Sequence, residues 1–207
     1  MAKPEHVALV LEGRQNVDSW LSKNPHARLD LSNADLQGAD LSRFNLSGVR
    51  LDEPVSEATY NLPVGERIAR VERRAAILCK ANLRGANLTH AIVIGTDFSG
   101  ADLTGANLTE AVCSDVLGLS VANFSDAILE NIQWTSDSII DSDHPFLELA
   151  MSKGLETARG TWLKKYIEHC LAYLHSSPSH ELPTSNPDWF QHAVHRIHDL
   201  ARSYGIR

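Results

Sequence analysis

An apolar side chain returns at every fifth position through about half of this chain, and that period constrains the fold more than any other feature. From Leu29 the sequence reads LDLSN ADLQG ADLSR FNLSG VRLDE. From Ala76 it reads AILCK ANLRG ANLTH AIVIG TDFSG ADLTG ANLTE AVCSD, and from Ala122 ANFSD AILEN IQWTS. The central residue falls at Leu31, Leu36, Leu41, Leu46 and Leu51, at Leu78, Leu83, Leu88, Val93, Phe98, Leu103, Leu108 and Cys113, and at Phe124, Leu129 and Trp134, sixteen units in all. Two positions earlier stands a mostly small apolar residue, usually alanine. A period of five fits neither a helix of ~3.6 residues per turn nor a continued strand of period ~2, so the backbone must turn once in every unit. The two apolar residues share one face of a short extended segment, and the polar residue between them, such as Asp35, Asn82 or Asn107, points away. The remaining pair, drawn largely from Ser, Thr, Gly, Asp and Asn, has the chemistry of a bend. Four bends close a square coil of about 20 residues, and the units then make about four coils stacked at ~4.8 Å over roughly 19 Å.

Units such as Ala34-Asp35-Leu36-Gln37-Gly38 and Ala106-Asn107-Leu108-Thr109-Glu110 follow an A(D/N)LXX pattern, and on them the chain resembles the pentapeptide-repeat family. The resemblance runs from about Leu29 to Ser136 and implies a mainly β fold, a right-handed quadrilateral β-helix. It is much less specific for function than for fold.

The register breaks twice. Between Leu51 and Leu78, residues 52–75 contain no unit but hold GERIARVERRAA, which reads as a short helix carrying Arg67, Arg70, Arg73 and Arg74, the most basic segment of the chain. Two readings stand: a solvated helix with internal pairs such as Glu66 to Arg70, or a loop that holds a partner. Ile68, Ala69 and Val71 could dock part of it on the coil wall. The second break, Cys113 to Phe124, is one residue longer than two units and reads as a local bulge.

An open β-solenoid needs capped ends. Residues 1–25 supply a cap, with one amphipathic helix from Pro4 to Lys23 turning Val7, Val10, Leu11, Val17, Trp20 and Leu21 toward the first coil. This leader resembles the helical N-terminus of many bacterial pentapeptide-repeat proteins. The solenoid then spans residues 26–136, and residues 137–207 form a C-terminal α-helical region with helical patterns over Pro145–Ala158, Trp162–His175 and Pro187–Ser203. Thr161 reads as the N-cap of the second, and SSPSHELPTSNP as a flexible linker. The third helix aligns Trp189, Ala193, Val194, Ile197, Leu200, Ala201 and Tyr204 along one side. That stripe packs on the preceding helices, or forms a homodimer seam or a partner surface. Trp189, Ile197 and Tyr204 therefore join the four arginines as candidate partner-binding residues.

Charge and motifs bound the function. Nineteen Lys and Arg against twenty-six Asp and Glu leave a net charge of -7, which argues against direct nucleic-acid binding. No run approaches the ~18 apolar residues of a membrane span, and Met1–Leu11 lacks a secretory signal. The three cysteines then read as reduced thiols of a cytoplasmic protein. Cys113 should point inward and Cys79 outward. Seven of the ten histidines lie in the tail, His144, His169, His175, His180, His192, His195 and His198, without HExxH or CxxC spacing, so no metal is assigned. No GxSxG elbow, P-loop, GxGxxG or paired-carboxylate pattern appears, and no catalytic residue or cofactor is assigned. The function expected is a non-enzymatic scaffold that holds a protein partner. The alternative that the resemblance offers is a DNA mimic that binds DNA gyrase or topoisomerase and protects against quinolones or topoisomerase poisons. Outside the insertion, Leu29 to Trp134 holds nine acidic and four basic residues, whereas a duplex ~19 Å long would display about 11 phosphates. The imitation is poor.

Overall fold

Where an Asp or Asn stands ahead of the central side chain, it ties the bend. The computed structural model describes residues 3–51, 75–113, 116–134, 149–176 and 187–206. In it, Oδ1 of Asp35, Asp40, Asn87, Asp102 and Asn107 accepts the backbone N–H two residues on, at 3.0–3.1 Å. Thr89, Thr104 and Thr109 donate their hydroxyls to the same oxygens. Each such turn satisfies an amide that no neighbouring coil can reach. The next residue takes a left-handed conformation, as at Gly85 (φ 64°) and Arg43 (φ 59°). The chain then closes the corner, as when Ala34 N–H donates to Leu31 O at 3.0 Å.

Corners repeated at this pitch bring each unit over its counterpart and build four walls of parallel bridges. The first wall stacks Asp30, Arg50, Ile92, Val112 and Gln133, and the second Asp35, Ile77, Asp97 and Leu117. The third stacks Asp40, Asn82, Asp102, Asn123 and Lys153, and the fourth Asn45, Asn87, Asn107, Ile128 and Arg159. Pairing lengthens into two-residue strands at β1 (Val112–Cys113) and β2 (Gln133–Trp134). The fold is thus a four-sided β-helix. The insertion leaves the stack intact, because Ala76 N–H donates to Leu51 O at 2.7 Å and so makes the ordinary corner bond across it. The helix read within the insertion lies outside the described residues.

Inside, Leu36, Leu83, Phe98 and Leu108 belong to one apolar cluster, and Leu31, Leu83, Leu88 and Leu103 are fully buried. Alanine suits the preceding inward position because two inward side chains per unit must share a narrow interior; Ala86, Ala91 and Ala106 are fully buried there. Thr96 takes that place in one unit, and its buried Oγ1 has no hydrogen-bond partner among the described residues. An unsatisfied buried hydroxyl costs about 1–3 kcal/mol. Thr96→Val is therefore expected to raise the urea midpoint, and an unchanged or lower midpoint would show that the hydroxyl finds a partner.

Three expectations change. The second break is not a bulge between ordinary units. Leu117 bridges Asp97, Gly118 sits at the central position, and Leu119, 3% exposed, fills the core from a 3₁₀ turn over Leu119–Val121. The unit simply has six residues. The same six-residue form returns past Trp134, where KGLETA matches LGLSVA: Lys153 and Arg159 extend the third and fourth walls, and Leu155 is fully buried. In place of the α-helix expected through Ala158, the described part, residues 149–158, forms 3₁₀ turns at Leu149–Met151 and Leu155–Thr157. Stacking thus continues to Arg159. Finally, the leader is two helices, α1 (Pro4–Leu11) and α2 (Arg14–Lys23), broken at Gly13 (φ 112°). Val10 and Val17 enter the core, but Leu11 turns outward, 63% exposed.

The tail closes the other end with α3 (Thr161–Ser176) and α4 (Pro187–Ser203). Leu163, Ile167 and Cys170 of α3 and Ala193, Ile197 and Leu200 of α4 are buried in the same cluster as Leu149 and Leu155. The linker between these helices lies outside the described residues.

Candidate interaction surfaces

With the interior filled by its own side chains, the outer surface is what the molecule can offer. On the third wall Asn82 Nδ2 donates to Asp40 Oδ1 at 3.0 Å, and Asn123 Nδ2 to Asp102 Oδ1 at 3.2 Å. On the fourth, Asn87 Nδ2 donates to Asn45 Oδ1 at 3.2 Å. Arg84 reaches Asp102 at 2.9 Å, and His90 reaches Glu110 at 3.1 Å. Exposed pairs of this kind add little stability. Their effect is to aim side chains, since each Asp or Asn is already held by its turn. Hydrogen bonds from the Ser42 hydroxyl and amide hold the Asp40 carboxyl below the usual range. At Asp102 desolvation acts upward, but bonds from Thr104 and Arg84 outweigh it and the net shift is downward. Where the wall position is Ile77, Ile92, Val112 or Leu117, no such turn is possible, and the first and second walls carry apolar positions among their polar ones.

Of the expected partner-binding residues, the described side chains are those of Ile197 and Tyr204. Arg67, Arg70, Arg73 and Arg74 lie outside the described residues, as does the side chain of Trp189. Ile197 is fully buried within the chain. Tyr204 donates its hydroxyl to Ala158 O at 2.6 Å and Leu155 O at 3.0 Å, and Arg196 donates to Ser152 O at 3.3 Å and Glu156 Oε2 at 3.2 Å. The described part of the α4 stripe thus packs on α3 and on the chain's own last rungs. Phe190, which the stripe omitted, is buried beside it. Nor does Thr161 cap α3 with its own oxygen: its N–H and hydroxyl both donate to the Glu130 carboxylate, and these bonds hold that carboxyl below its usual range.

Chemistry at individual side chains is muted. Burial pushes the Cys113 and Cys170 thiols up to about 12, far from the thiolate that reacts. Cys79 is half-buried at a corner. His175, His195 and His198 line an open groove between α3 and α4 with Glu168. Among the described residues no three His, Cys, Asp or Glu side chains stand close enough to hold a metal ion. Among the same residues no helix is long and apolar enough to cross a membrane.

At the N-terminal end, a groove of about 850 Å³ opens between the Gly13 elbow and the first rung of the third wall, Ala39 to Phe44. It climbs the corner past Arg84 and Thr104, with Arg14 and Arg43 on its sides. Sequence spacing gave no sign of it, because it arises where two segments remote in the chain fail to meet.

The family model for pentapeptide repeats matches residues 29–53 and 74–115 in eight copies. Among solved structures, the chain is similar to the pentapeptide repeat protein Rfr23 from the cyanobacterium Cyanothece 51142, at 18% identity over 61% of this chain and 99% of that one, with a TM-score of 0.28. It is similar to HetL, a pentapeptide repeat protein involved in heterocyst differentiation regulation in Nostoc sp. strain PCC 7120, at 21% identity over 64% and 53% of the two chains, TM-score 0.21. QnrB1, a plasmid-mediated fluoroquinolone resistance protein, matches at 16% identity over 69% of this chain and 65% of that one, TM-score 0.37. These values are too low to carry any of those proteins' partners over. No curated protein matches the chain.

Proposed function

Because this chain belongs to the pentapeptide-repeat family, we propose that it is a non-catalytic scaffold whose outer surface holds a protein partner. One observation carries the reading. The apolar cavity between Phe98, Phe124 and Trp162 is only about 20 Å³, scarcely the volume of one water, while outward Asp and Asn side chains are fixed by their turns. A rigid body that fills its own interior and pre-orders its exterior loses little side-chain entropy on binding. The right-handed winding and cytoplasmic location belong to the same reading, and three unpaired cysteines fit a reducing compartment.

Photo-crosslinking residues at Asn82 and at Ile92, on opposite walls, test it in the native host. A discrete light-dependent adduct with one protein from either wall is the expected result. Folded protein that yields no adduct from either would overturn the proposal.

DNA mimicry receives less support. The nineteen outward wall positions carry five acidic residues, Asp30, Asp35, Asp40, Asp97 and Asp102, against the basic Arg50, Lys153 and Arg159, spread over four faces. A duplex presents continuous negative charge. Purified protein at micromolar concentration is expected to leave supercoiling by DNA gyrase unchanged; inhibition or protection would favour the mimic.

A further inference from the structure

The two ends of the first coil are not equally closed. In a parallel ladder one residue directs both its N–H and its C=O to the same side, and the next residue directs them to the other. Leu41 N–H donates to Asn82 O at 2.8 Å, and Asn82 N–H donates to Ala39 O at 2.9 Å. The N–H and C=O of Asp40 therefore point away from Asn82, toward the side where no rung lies among the described residues. On the first wall the cap deals with the matching group, since Asp30 N–H donates to His6 Nδ1 at 3.0 Å. That histidine is buried and packed edge-on against Trp20, and burial foremost, then the Lys3 charge, lowers its pKa and keeps it an acceptor. On the third wall no described residue takes the Asp40 N–H.

The groove under that wall is shaped by the same gap. Ala39 is only half-buried, whereas Ala81, Ala101 and Ala122, stacked on it in the same column, are at most 1% exposed. Leu11 faces the gap from the elbow of the cap, 63% exposed. Three arginines reach the groove, Arg14, Arg43 and Arg84, against the single carboxylate of Asp40. Arg14 and Arg84 pair with Asp18 and Asp102 at its margins. Arg43, held in a left-handed corner (φ 59°), is exposed. An open ladder edge, an aliphatic floor and an excess of guanidinium groups meet in one place.

We propose that this groove takes an extended, acidic segment of a partner protein as one more rung beneath the third wall. The segment's backbone pairs with the Asp40 N–H and C=O, an aliphatic side chain enters between Leu11 and Ala39, and flanking carboxylates face Arg14, Arg43 and Arg84. Strand addition of this kind draws affinity from main-chain bonds and specificity from alternate side chains. It rests on the scaffold reading and names the part of the scaffold that binds.

The test uses the full chain and a fluorescein-labelled peptide, Glu-Asp-Leu-Asp-Leu-Glu amide, followed by anisotropy. Two control peptides replace the acids with lysine or the central Asp with proline, which has no N–H to pair. The acidic peptide is expected to bind about tenfold or more tighter than either control, and Arg43→Gly and Leu11→Asp are each expected to weaken it about tenfold. Arg43→Gly suits its left-handed corner, and Leu11 is exposed, so neither variant should lower the melting temperature. Equal binding of the acidic and lysine peptides, or wild-type affinity in Arg43→Gly, overturns the proposal. So does a concentration-dependent dimer that either substitution dissolves, since a second copy would then be the occupant. If the wall crosslinks persist in Arg43→Gly while the acidic peptide fails to bind wild type, the scaffold reading stands and this one falls.

Discussion

Gly118→Ala is expected to destabilise the fold by about 2–5 kcal/mol, from a left-handed conformation costing an L-residue about 1–2 and an overpacked contact costing about 1–3. Gly118 has φ 70°, and a Cβ there would stand 2.1 Å from Ser99 Oγ and 2.6 Å from Ser99 Cα and N. The hydroxyl could rotate, but the backbone of the rung below could not. Gly105 gives a matched control. Its φ is 66° and a Cβ there would meet nothing within 4 Å, so Gly105→Ala should show the conformational cost alone, about 1–2 kcal/mol. Urea denaturation of both variants separates the two effects. Equal midpoints would mean that the rungs do not approach as closely as the six-residue unit requires.

Phe98→Ala is expected to cost about 3–5 kcal/mol, the range for removing a buried phenyl ring whose site cannot collapse. Phe98 is 2% exposed at the central position of the second wall, beside the small void that Val93, Leu108 and Phe124 also line. Backbone ladders above and below hold the rungs at fixed separation, so the void cannot close. In a stack where each coil touches only its neighbours, such a loss can also uncouple the two ends. Thermal unfolding followed at Trp20 and Trp162 should then split into two transitions. A loss below about 1.5 kcal/mol, the level of a volume-conserving swap, would show that the interior repacks freely.

How much of this was legible can be traced residue by residue. The inward places of Leu36, Leu83, Phe98 and Leu108 follow from spacing alone, and so does the outward turn of Asp35 and Asn107. The role of that Asp or Asn as the bond that makes the corner was also present in the sequence, in the Ser or Thr that so often stands two residues later. The two six-residue units escaped a five-residue template because glycine occupies the central position and the following leucine does its work. Once VLGLSVA is placed over SKGLETA the signal is plain. The break of the leader at Gly13 was carried by a glycine inside an otherwise helical pattern.

The groove and the fate of the tail belong to another level. The stripe on α4 was equally compatible with a seam between copies and with burial in its own chain, because an amphipathic face states that it must be covered and not by what. The arginines of the insertion lie outside the described residues, and both of their readings stand.

What the sequence determined by itself is the four-walled stack and the direction of each side chain in it, because a period of five with two inward residues leaves the backbone one way to wind. What only the tertiary structure decided is which edges are covered: His6 reaches the Asp30 N–H, Tyr204 and Arg196 reach the last rungs, and no described residue takes the Asp40 N–H. The Asp40 side chain itself is held by Ser42 and Asn82. The cap and tail contacts join segments far apart in the chain, and their outcome depends on how whole helices seat on the coil rather than on any local spacing.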